Sequence, residues 1–371
     1  MSDTFLIAGG GTGGHIFPAL AIGHALEQRV AGASVVFVGT RYGMEKDLVP
    51  QRGYALITLP TRGLLGKSPA QKLALLWRLP LSLALSLFYL LRLRPKAVVG
   101  VGGYASGPLL LAASLLRIPT LIQEQNAFPG LTNRFCSRFA KLACCGFAEA
   151  AQGLHCPVIV TGNPIRSDFG ETHPWSAERK TLLILGGSQG ARALNRNLPA
   201  ILKAVLGPER GLRVVHQCGK DHVAEVSRAY ENAPFPVEVL PFIEDMSARL
   251  QQALLLICRA GASTIAELKR VRIPALLVPF PQAAHDHQTF NAKSLANLGA
   301  ANLVAESHME QVAPLLTELL DRPAKLAAMA AAYPTTNPDS AGLCAEIILE
   351  LQQQRKVKEI VKRYEIHVSQ N

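Results

Sequence analysis

Two glycine-rich turns carry residue types suited to phosphate and proton-transfer chemistry, and they lie about half a chain apart. Residues 9–15 read Gly-Gly-Gly-Thr-Gly-Gly-His, and residues 186–192 read Gly-Gly-Ser-Gln-Gly-Ala-Arg. A glycine-rich turn between a strand and a helix lets backbone N–H groups approach a phosphate, and the helix N-terminus behind it is partly positive. The pair predicts two phosphate-handling α/β halves.

The two turns end in different chemistry. His15 ends the first turn where a helix begins, and a helix N-terminus disfavours protonated imidazole, which favours a neutral base. A histidine that only caps or hydrogen-bonds the glycine loop is the alternative. The second turn contains Ser188, Gln189 and Arg192, which are hydrogen-bond donors. We expect the first half to carry the chemistry and the second half to hold a charged donor.

Further polar segments follow predicted strands. Residues 102–108 and 123–126 do so in the first half, and Arg166 adds a guanidinium that could contact a diphosphate with two hydrogen bonds. Because buried unpaired polar groups are costly, we expect these segments to line a wet cleft.

In the second half, residues 259–267 form a third anion-binding turn. Glu267 lies one turn into the following helix, where a carboxylate can accept both hydroxyls of a ribose. Residues 285–291 offer amides and imidazoles suited to sugar hydroxyls. The His-x-His pair within them lacks further ligands, so we predict no metal site.

Short apolar runs alternate with helical patterns along the chain, which predicts parallel sheets with crossover helices. The fold class is therefore α/β, with two doubly wound Rossmann-like domains facing across a cleft. Ligands of such sheets bind beyond the carboxyl ends of the strands. The predicted strands are 5–8, 35–38, 55–59, 97–101, 120–122, 158–160, 181–185, 213–217, 237–241, 254–258, 274–278 and 302–304.

Two breaks divide the chain. Gly162-Asn163-Pro164 closes the last strand of the first half, and residues 333–340 precede a final helix capped by Asp339 or Ser340. We expect an N-terminal acceptor and membrane-associated domain at 1–163 and a donor domain at 164–338. Residues 339–371 form a helix that returns to the first domain and a basic tail.

Composition restricts the partners. A net charge of +11 requires an anionic partner, but the basic residues are scattered and aromatic residues make up only 6% of the chain, which argues against nucleic acid. Seven cysteines without a CxxC pair indicate reduced thiols. Without a signal-peptide pattern, we expect the chain in the cytoplasm.

Residues 67–94 hold the longest apolar stretch. Arg78 and Pro80 interrupt it, so it is too broken for a span of about 20 apolar residues. Its first part mixes apolar and basic residues, which suits docking onto an anionic membrane surface; ordinary helix packing is the alternative. The second part, with Ser82, Ser86 and Tyr89 on one face, is typical of a crossover helix. The first-part residues are Leu73, Leu75, Leu76, Trp77 and Leu79, with Lys67, Lys72 and Arg78.

The first turn also satisfies G-x-G-x-x-G, so a dinucleotide site is an alternative. The acidic residue expected after the second strand is missing there. Arg41 stands at that point and could accept a 2′-phosphate, so an NADP-dependent oxidoreductase stays open.

Seven motifs in order resemble the MurG family, the bacterial N-acetylglucosaminyltransferases of peptidoglycan synthesis, which are two-domain enzymes of the GT-B type. The resemblance spans nearly the whole chain. The motifs are residues 10–15 with 17–19, 102–108, 124–126, 162–166, 186–192, 259–267 and 286–291. One departure is Gln123, which stands where a histidine often precedes Glu-Gln-Asn in this family, so no role is carried over to it.

The resemblance implies transfer of N-acetylglucosamine, with inversion, from UDP-N-acetylglucosamine to the muramoyl sugar of an undecaprenyl-pyrophosphate-linked pentapeptide. It implies no tightly bound cofactor, and it places a peripheral protein at the cytoplasmic face of the bacterial membrane. Other proteins of cell-wall synthesis and division are implied partners. Alternatives are another UDP-sugar glycolipid transferase, a UDP-N-acetylglucosamine epimerase and an inert nucleotide-binding scaffold.

The resemblance also implies roles for residues. The base is His15 or a carboxylate that the sequence does not identify. The acceptor and its pyrophosphate would meet His15, Tyr104 and Arg166. The donor would contact Glu267 through the ribose, the backbone of Ile243 through the uracil, and Gln288 with Asn126 through the sugar. Further implied donor contacts are Thr12, Gly13, Gly14, Arg166, Ser188, Gln189, Ala262, Ser263 and Thr264.

Overall fold

The structure is a computed structural model in which the chain forms two compact units. Unit 1 comprises Met1–Ser167 together with Pro338–Asn371, and unit 2 comprises Asp168–Asn337. The residues described are 3–61, 69–166, 169–170, 172–187, 189–283, 286–335 and 339–369, with backbone alone for 69–77 and 365–369. Lys67, Ser188 and His285 lie outside them, as do the side chains from Lys72 to Trp77.

Unit 1 is built on a parallel sheet of seven strands among its described residues, in the order β3-β2-β1-β4-β5-β6-β7. Residues 5–8 of an interior strand are fully buried, as expected where helices cover both faces of a parallel sheet. The strands are β1 Thr4–Ala8, β2 Ser34–Thr40, β3 Ala55–Leu59, β4 Ala97–Gly100, β5 Thr120–Glu124, β6 Leu142–Cys145 and β7 Val158–Val160. The helices are α1 Gly13–Arg29, α2 Glu45–Gln51, α3 Pro69–Leu93, α4 Ser106–Leu115 and α5 Leu131–Cys136, with a 3-10 turn at Ala148–Gly153.

Unit 2 repeats this design with a parallel sheet of six strands in its described part, in the order β10-β9-β8-β11-β12-β13. Its strands are β8 Thr181–Leu185, β9 Arg213–Gln217, β10 Val237–Leu240, β11 Ala253–Cys258, β12 Ala275–Leu277 and β13 Ala301–Leu303. Its helices are α6 Arg192–Val205, α7 Val223–Ala229, α8 Met246–Gln252, α9 Ala262–Val271, α10 His287–Ala296, α11 Val312–Asp321 and α12 Pro323–Ala331. Short 3-10 turns lie at Pro208–Arg210, Lys220–His222 and Glu306–Gln311.

The end of the chain belongs to unit 1. α13 (Ser340–Gln352) and α14 (Val357–Ser369) follow unit 2, and α13 packs against α1. Asp339 caps α13 by accepting the N–H of Gly342 (2.9 Å), and its carboxylate lies 3.6 Å from the Arg29 guanidinium. Ile347 and Ile348 are fully buried in the core shared with the sheet. The final helices therefore complete the core of unit 1.

Both sheets reverse strand order beside their first strand. β1 pairs with β2 and β4, and β8 pairs with β9 and β11. Loops that leave neighbouring strands toward opposite faces open a crevice at the carboxyl ends of those strands. Residues 9–12 and 101–105 follow β1 and β4, and residues 186–191 and 259–261 follow β8 and β11. Each unit thus places two sequence motifs at its own reversal point.

Local sequence patterns predicted nearly all strands. Every predicted strand is present, with ends within two residues of the prediction. Among the strands described, only β6 was not predicted, because its residues Leu-Ala-Cys-Cys include no β-branched or aromatic side chain. Cys144 and Cys145 are fully buried there, and burial raises the pKa of both thiols.

Candidate active site

The first glycine turn is held from below by a carboxylate. The Gly11 N–H donates to Glu45 Oε2 (2.8 Å), while the N–H and the hydroxyl of Thr40 donate to Glu45 Oε1 (2.8 and 2.7 Å). Gly11 has φ +95°, a conformation that favours glycine. Because an internal anion uses the Gly11 amide, the phosphate contacts predicted for this turn are restricted to Thr12, Gly13 and Gly14.

His15 lies in the first turn of α1, partly exposed, against the loop that follows β4. Its Nδ1 is 3.4 Å from the Thr12 hydroxyl. A Cβ on Gly102 would lie 3.0 Å from His15 Nε2, and one on Gly103 would lie 2.7 Å from the Gly10 carbonyl oxygen. Side chains at positions 102 and 103 would therefore separate the two loops.

Two further predicted residues lie in unit 1. Tyr104 follows Gly103 and is 45% exposed, so its hydroxyl can meet a ligand in solution. The Arg166 guanidinium is buried and lies 5.3 Å from the ring centroid of Phe17, on the first turns of α1. The structure therefore brings Arg166 to the same helix end as His15.

We predicted a wet lining at Gln123 to Asn126, but the first three of these residues are buried and only Asn126 is partly exposed. Gln123, Glu124 and Gln125 are buried and hydrogen-bonded to protein groups, although Gln125 Oε1 has no partner among the described residues. Glu124 accepts the backbone N–H (2.9 Å) and the side-chain amide (3.3 Å) of Asn126, and the Asn133 amide (2.9 Å). The prediction rested on the free-energy cost of burying unpaired polar groups, and hydrogen bonds within the protein reduce that cost. Gln123 donates to Asn163 Oδ1 (3.1 Å) and is part of this support.

The second glycine turn is braced by Gln217 at the end of β9. The side-chain amide of Gln217 donates to the Gly187 carbonyl (2.9 Å), and its Oε1 accepts the N–H of Ile243 (3.0 Å). Gly187 has φ +84°. The backbone of Ile243 was predicted to meet a uracil, and its N–H is already used within the protein. Gln189 is exposed beside this turn.

The α9 N-terminus is the second part of the reversal point in unit 2. Gly261 is its N-cap and no side chain caps it in the described structure. The Ser263 hydroxyl is buried without a hydrogen-bond partner among the described residues. Glu267 is buried one turn further along, and its charge adds to burial in raising the pKa of the Cys258 thiol. A helix N-terminus followed by a buried carboxylate suits phosphate and hydroxyl groups of one ligand.

Arg259 is structural, although the sequence motif that it opens suggested an anion-binding turn. Its guanidinium donates to the carbonyls of Val278 and Pro279 (3.1 Å each), pairs with Glu306, and lies over the Phe280 ring. Those contacts tie β11 to β12, so the anion-binding capacity of the motif falls to its backbone and to Ser263 and Thr264.

The start of α10 supplies amide donors. Gln288 Oε1 accepts the N–H of Phe280 (3.0 Å), which leaves the side-chain N–H groups of Gln288 as its donors. Asn291 is fully buried and donates to the Ala260 carbonyl (3.2 Å), so α10 is tied to the turn before α9. Among the residues described, no three His, Cys, Asp or Glu side chains are grouped to hold a metal.

Two supporting residues, Glu45 and Gln217, were missed by the sequence analysis. Glycines gave a usable signal for Glu45, because Gly39 interrupts a strand pattern and such a glycine often marks a close approach. A Cβ at Gly39 would overlap the Glu45 side chain. No local pattern identifies Gln217.

Comparison with known proteins agrees with this geometry. The glycosyltransferase family 28 N-terminal domain matches residues 5–144, and its C-terminal domain matches residues 181–342. Two relatives are named UDP-N-acetylglucosamine–N-acetylmuramyl-(pentapeptide) pyrophosphoryl-undecaprenol N-acetylglucosamine transferase. The protein from Syntrophotalea carbinolica is 43% identical over 88% of this chain and 92% of its own, and that from Myxococcus xanthus is 41% identical over 94% and 93%.

Solved structures give the same assignment. The crystal structure of Acinetobacter baumannii MurG aligns with a TM-score of 0.75 and 35% identity, covering 94% of this chain and all of the other. A putative UDP-N-acetylglucosamine 2-epimerase from Listeria monocytogenes, 14% identical with a TM-score of 0.69 over 95% of this chain and 97% of its own, shares the fold alone. The fold is GT-B, and the chain belongs to the MurG family of N-acetylglucosamine transferases within glycosyltransferase family 28.

Proposed function

We propose that the protein transfers N-acetylglucosamine from UDP-N-acetylglucosamine to the lipid-linked N-acetylmuramyl-pentapeptide, forming the disaccharide lipid of peptidoglycan synthesis. The family assignment supports this reaction. The observation that carries it is the reversal point of unit 2, where the glycine turn, the uncapped α9 N-terminus and buried Glu267 adjoin one set of strand ends. A nucleoside diphosphate presents the complementary groups, two phosphates and a ribose diol.

Unit 2 is the proposed donor site. Backbone N–H groups of the glycine turn and of residues 262–264 would hold the diphosphate, and Glu267 would accept the two ribose hydroxyls. Gln288 would donate to the sugar. These donors also stabilise the charge that develops on UDP as it leaves, so the proposed mechanism needs no tightly bound metal.

Unit 1 is proposed to supply the acceptor-side groups. His15 would take the proton of the acceptor 4-hydroxyl while that oxygen forms a bond to the anomeric carbon. The bond from that carbon to the diphosphate oxygen breaks, and UDP leaves with the electron pair from the opposite face, which inverts the configuration. A His15 tautomer with Nδ1–H donated to Thr12 leaves Nε2 as the base. The substrates would also contact Tyr104, Arg166, Asn126 and the backbone amides that follow Thr12.

The test is product analysis with UDP-N-acetylglucosamine and a lipid-linked muramoyl acceptor. Disaccharide and UDP in equal amounts support the proposal. Isomerisation of the donor without acceptor would indicate an epimerase, and binding without product would indicate a scaffold; either outcome overturns the transferase assignment.

Glu267 sharpens that test. We expect E267Q to raise the KM for the donor about 10- to 100-fold, since hydrogen bonds to charged groups contribute about 1.5–3 kcal/mol each. E318Q removes a surface carboxylate of the same unit and should leave the KM unchanged. With 2′-deoxy-UDP as the competing ligand, the difference in ligand affinity between E267Q and the wild type should be smaller than with UDP. An equally large difference would show that Glu267 does not contact the ribose hydroxyls.

We further propose that the protein works at an anionic membrane surface, peripherally and on the cytoplasmic side, in the cell-wall synthesis that supports cell shape and division. α3 supports the surface contact, because its outward face is apolar: Leu81, Phe88 and Leu91 are 51, 52 and 61% exposed. Its inward face packs on the core of unit 1 through Leu90, and the buried hydroxyls of Ser82 and Ser86 donate to carbonyls four residues back (2.7 Å).

Basic residues favour an anionic lipid as the occupant of this face. Arg92 and Arg94 are exposed at the end of α3, and Arg117, Arg138 and Lys141 are exposed after α4 and α5, the next two helices of the same unit. No helix within the described residues is both long and apolar enough to cross a bilayer. Exposed apolar side chains on a helix, combined with basic residues of the same unit, favour binding at the interface of anionic bilayers.

Vesicle sedimentation tests the membrane proposal. We expect binding to phosphatidylglycerol vesicles, weak binding to phosphatidylcholine vesicles, and at least a tenfold loss in the triple variant L81S/F88S/L91S. L298S, an exposed leucine of unit 2, is the control and should bind as the wild type does. Equal binding of the triple variant and the wild type would overturn the assignment of this face.

A further inference from the structure

Glu45 is a buried carboxylate that meets the first glycine turn from inside unit 1. It is 1% exposed and accepts three hydrogen bonds, from the Gly11 N–H, the Thr40 N–H and the Thr40 hydroxyl, at 2.7–2.8 Å. Hydrogen bonds to an ionised acceptor are stronger than neutral ones. The Gly11 amide is therefore held by a partner that belongs to the fold.

The surrounding backbone is shaped for this carboxylate. A Cβ at Gly10, Gly39 or Gly43 would overlap the Glu45 side chain in each case. These three glycines come from the turn after β1, from β2 and from the approach to α2. Three separate segments thus omit a side chain where the carboxylate lies, and an accidental contact would not require all three.

We propose that Glu45 is an internal anion that occupies the anion-binding position of the first glycine turn. It has two effects there: it keeps external phosphates away from the Gly11 amide, and it positions the residues from Thr12 to His15 for the acceptor. Glu45 is a positioning residue, because it acts through the turn and touches no substrate. The catalytic part of this inference rests on the proposed transferase function, whereas the anion-exclusion part does not.

The charge explains why this G-x-G-x-x-G turn need not serve a dinucleotide. A pyrophosphate at Gly11 would compete with Glu45 for one N–H and face its negative charge at short range. Neutral or cationic ligand groups, such as a hydroxyl, meet no such repulsion. The turn is thereby selective for an acceptor hydroxyl near His15, with phosphates directed to the amides beyond Gly11.

Anion binding tests the exclusion directly. Inorganic pyrophosphate would be titrated into wild type and E45A, with UDP saturating the donor site of unit 2. We expect E45A to bind pyrophosphate at least tenfold more tightly than the wild type, and E45Q, which removes the charge but keeps the volume, to show a smaller gain. E27Q removes the exposed carboxylate partner of Tyr54 in the same unit and is the control. No gain in E45A or E45Q would overturn the proposal.

Kinetics test the positioning. We expect E45Q to lower kcat at least tenfold while its affinity for UDP stays within twofold of the wild type. Amide hydrogen exchange over residues 8–16 should be faster in E45Q and unchanged in E27Q. Wild-type kcat in E45Q, or an equal loss of UDP affinity, would contradict a role confined to the first turn. If the wild-type protein makes no disaccharide, the proposed reaction is contradicted. The proposal for Glu45 is then tested by pyrophosphate binding and amide hydrogen exchange alone.

Discussion

The two glycine turns occupy equivalent places in their sheets but are supported by opposite chemistry. The first is held through an N–H, by the carboxylate of Glu45. The second is held through a carbonyl, by the neutral amide of Gln217. An N–H that donates to an internal carboxylate cannot donate to an external anion, and the carboxylate adds a negative charge beside the turn. A carbonyl that accepts from a neutral amide has neither effect. Similar glycine patterns are therefore held by different internal groups in the two units.

This difference matches the proposed division of labour. A nucleoside diphosphate needs N–H groups that can donate to its phosphates, and we propose that the α9 N-terminus beside Glu267 offers them. A hydroxyl that must lose its proton needs a base, which the first turn offers in His15. The internal carboxylate lets the first turn keep a glycine-rich shape without offering its Gly11 amide to a phosphate.

The largest effect expected is at His15. H15A should lower kcat by about 10²–10⁴, the usual contribution of a general base, while UDP affinity changes little. Steady-state kinetics with a UDP-binding titration check this, and H24A, on the same helix, is the control. An unchanged kcat would show that His15 is not the general base. The two turns would then differ only in the internal groups that hold them.

Gln217 tests the second turn. Q217L removes both the bond to Gly187 and the bond to Ile243, and it leaves a buried N–H without a partner, which costs about 1–3 kcal/mol. We expect the KM for the donor to rise roughly 5- to 100-fold with little change in the KM for the acceptor. Q251L removes an amide contact elsewhere in the unit and should leave both constants unchanged. An effect on the acceptor KM alone would break the comparison.

The smallest effect concerns pH and the strand that carries Gln217. His216 is fully buried between Tyr230 and Asn195, and desolvation lowers its pKa to about 3. Because the unfolded chain binds a proton near pH 6.5 and the folded chain does not, the stability from this group is present above that pH. It is lost as pH falls from about 6.5 toward 3, by up to about 1.4 kcal/mol per pH unit.

Urea unfolding of unit 2 between pH 6.5 and 5.5 measures this loss. Tyr230 and Cys218, the titratable neighbours, have pKa values raised by burial and stay neutral in that range. H216Q should flatten the dependence, and H308Q, an exposed histidine of the same unit, should retain it. The same slope in H216Q as in the wild type would show that His216 is not the group that destabilises this strand in acid.

Residues of the site differed in how far the sequence could predict them. His15 and Glu267 stand at fixed offsets from glycine turns, so their places at helix starts follow from local pattern. The contact of Glu45 spans 34 residues, and those of Gln217 span 30 and 26, so no local pattern contains them. Gln123 and Glu124 were predicted at a wet edge because the Asn163 and Asn133 that satisfy them are also distant in sequence.

The sequence by itself determined the alternation of strands and helices and the glycine turns that follow the strands, because periodicity and turn chemistry act over a few residues. Only the tertiary structure decided which polar groups form their hydrogen bonds with other groups of the protein. Pairing of distant strands brings a carboxylate beneath one turn and an amide beneath the other, and a backbone N–H already bonded to an internal anion is lost to any ligand.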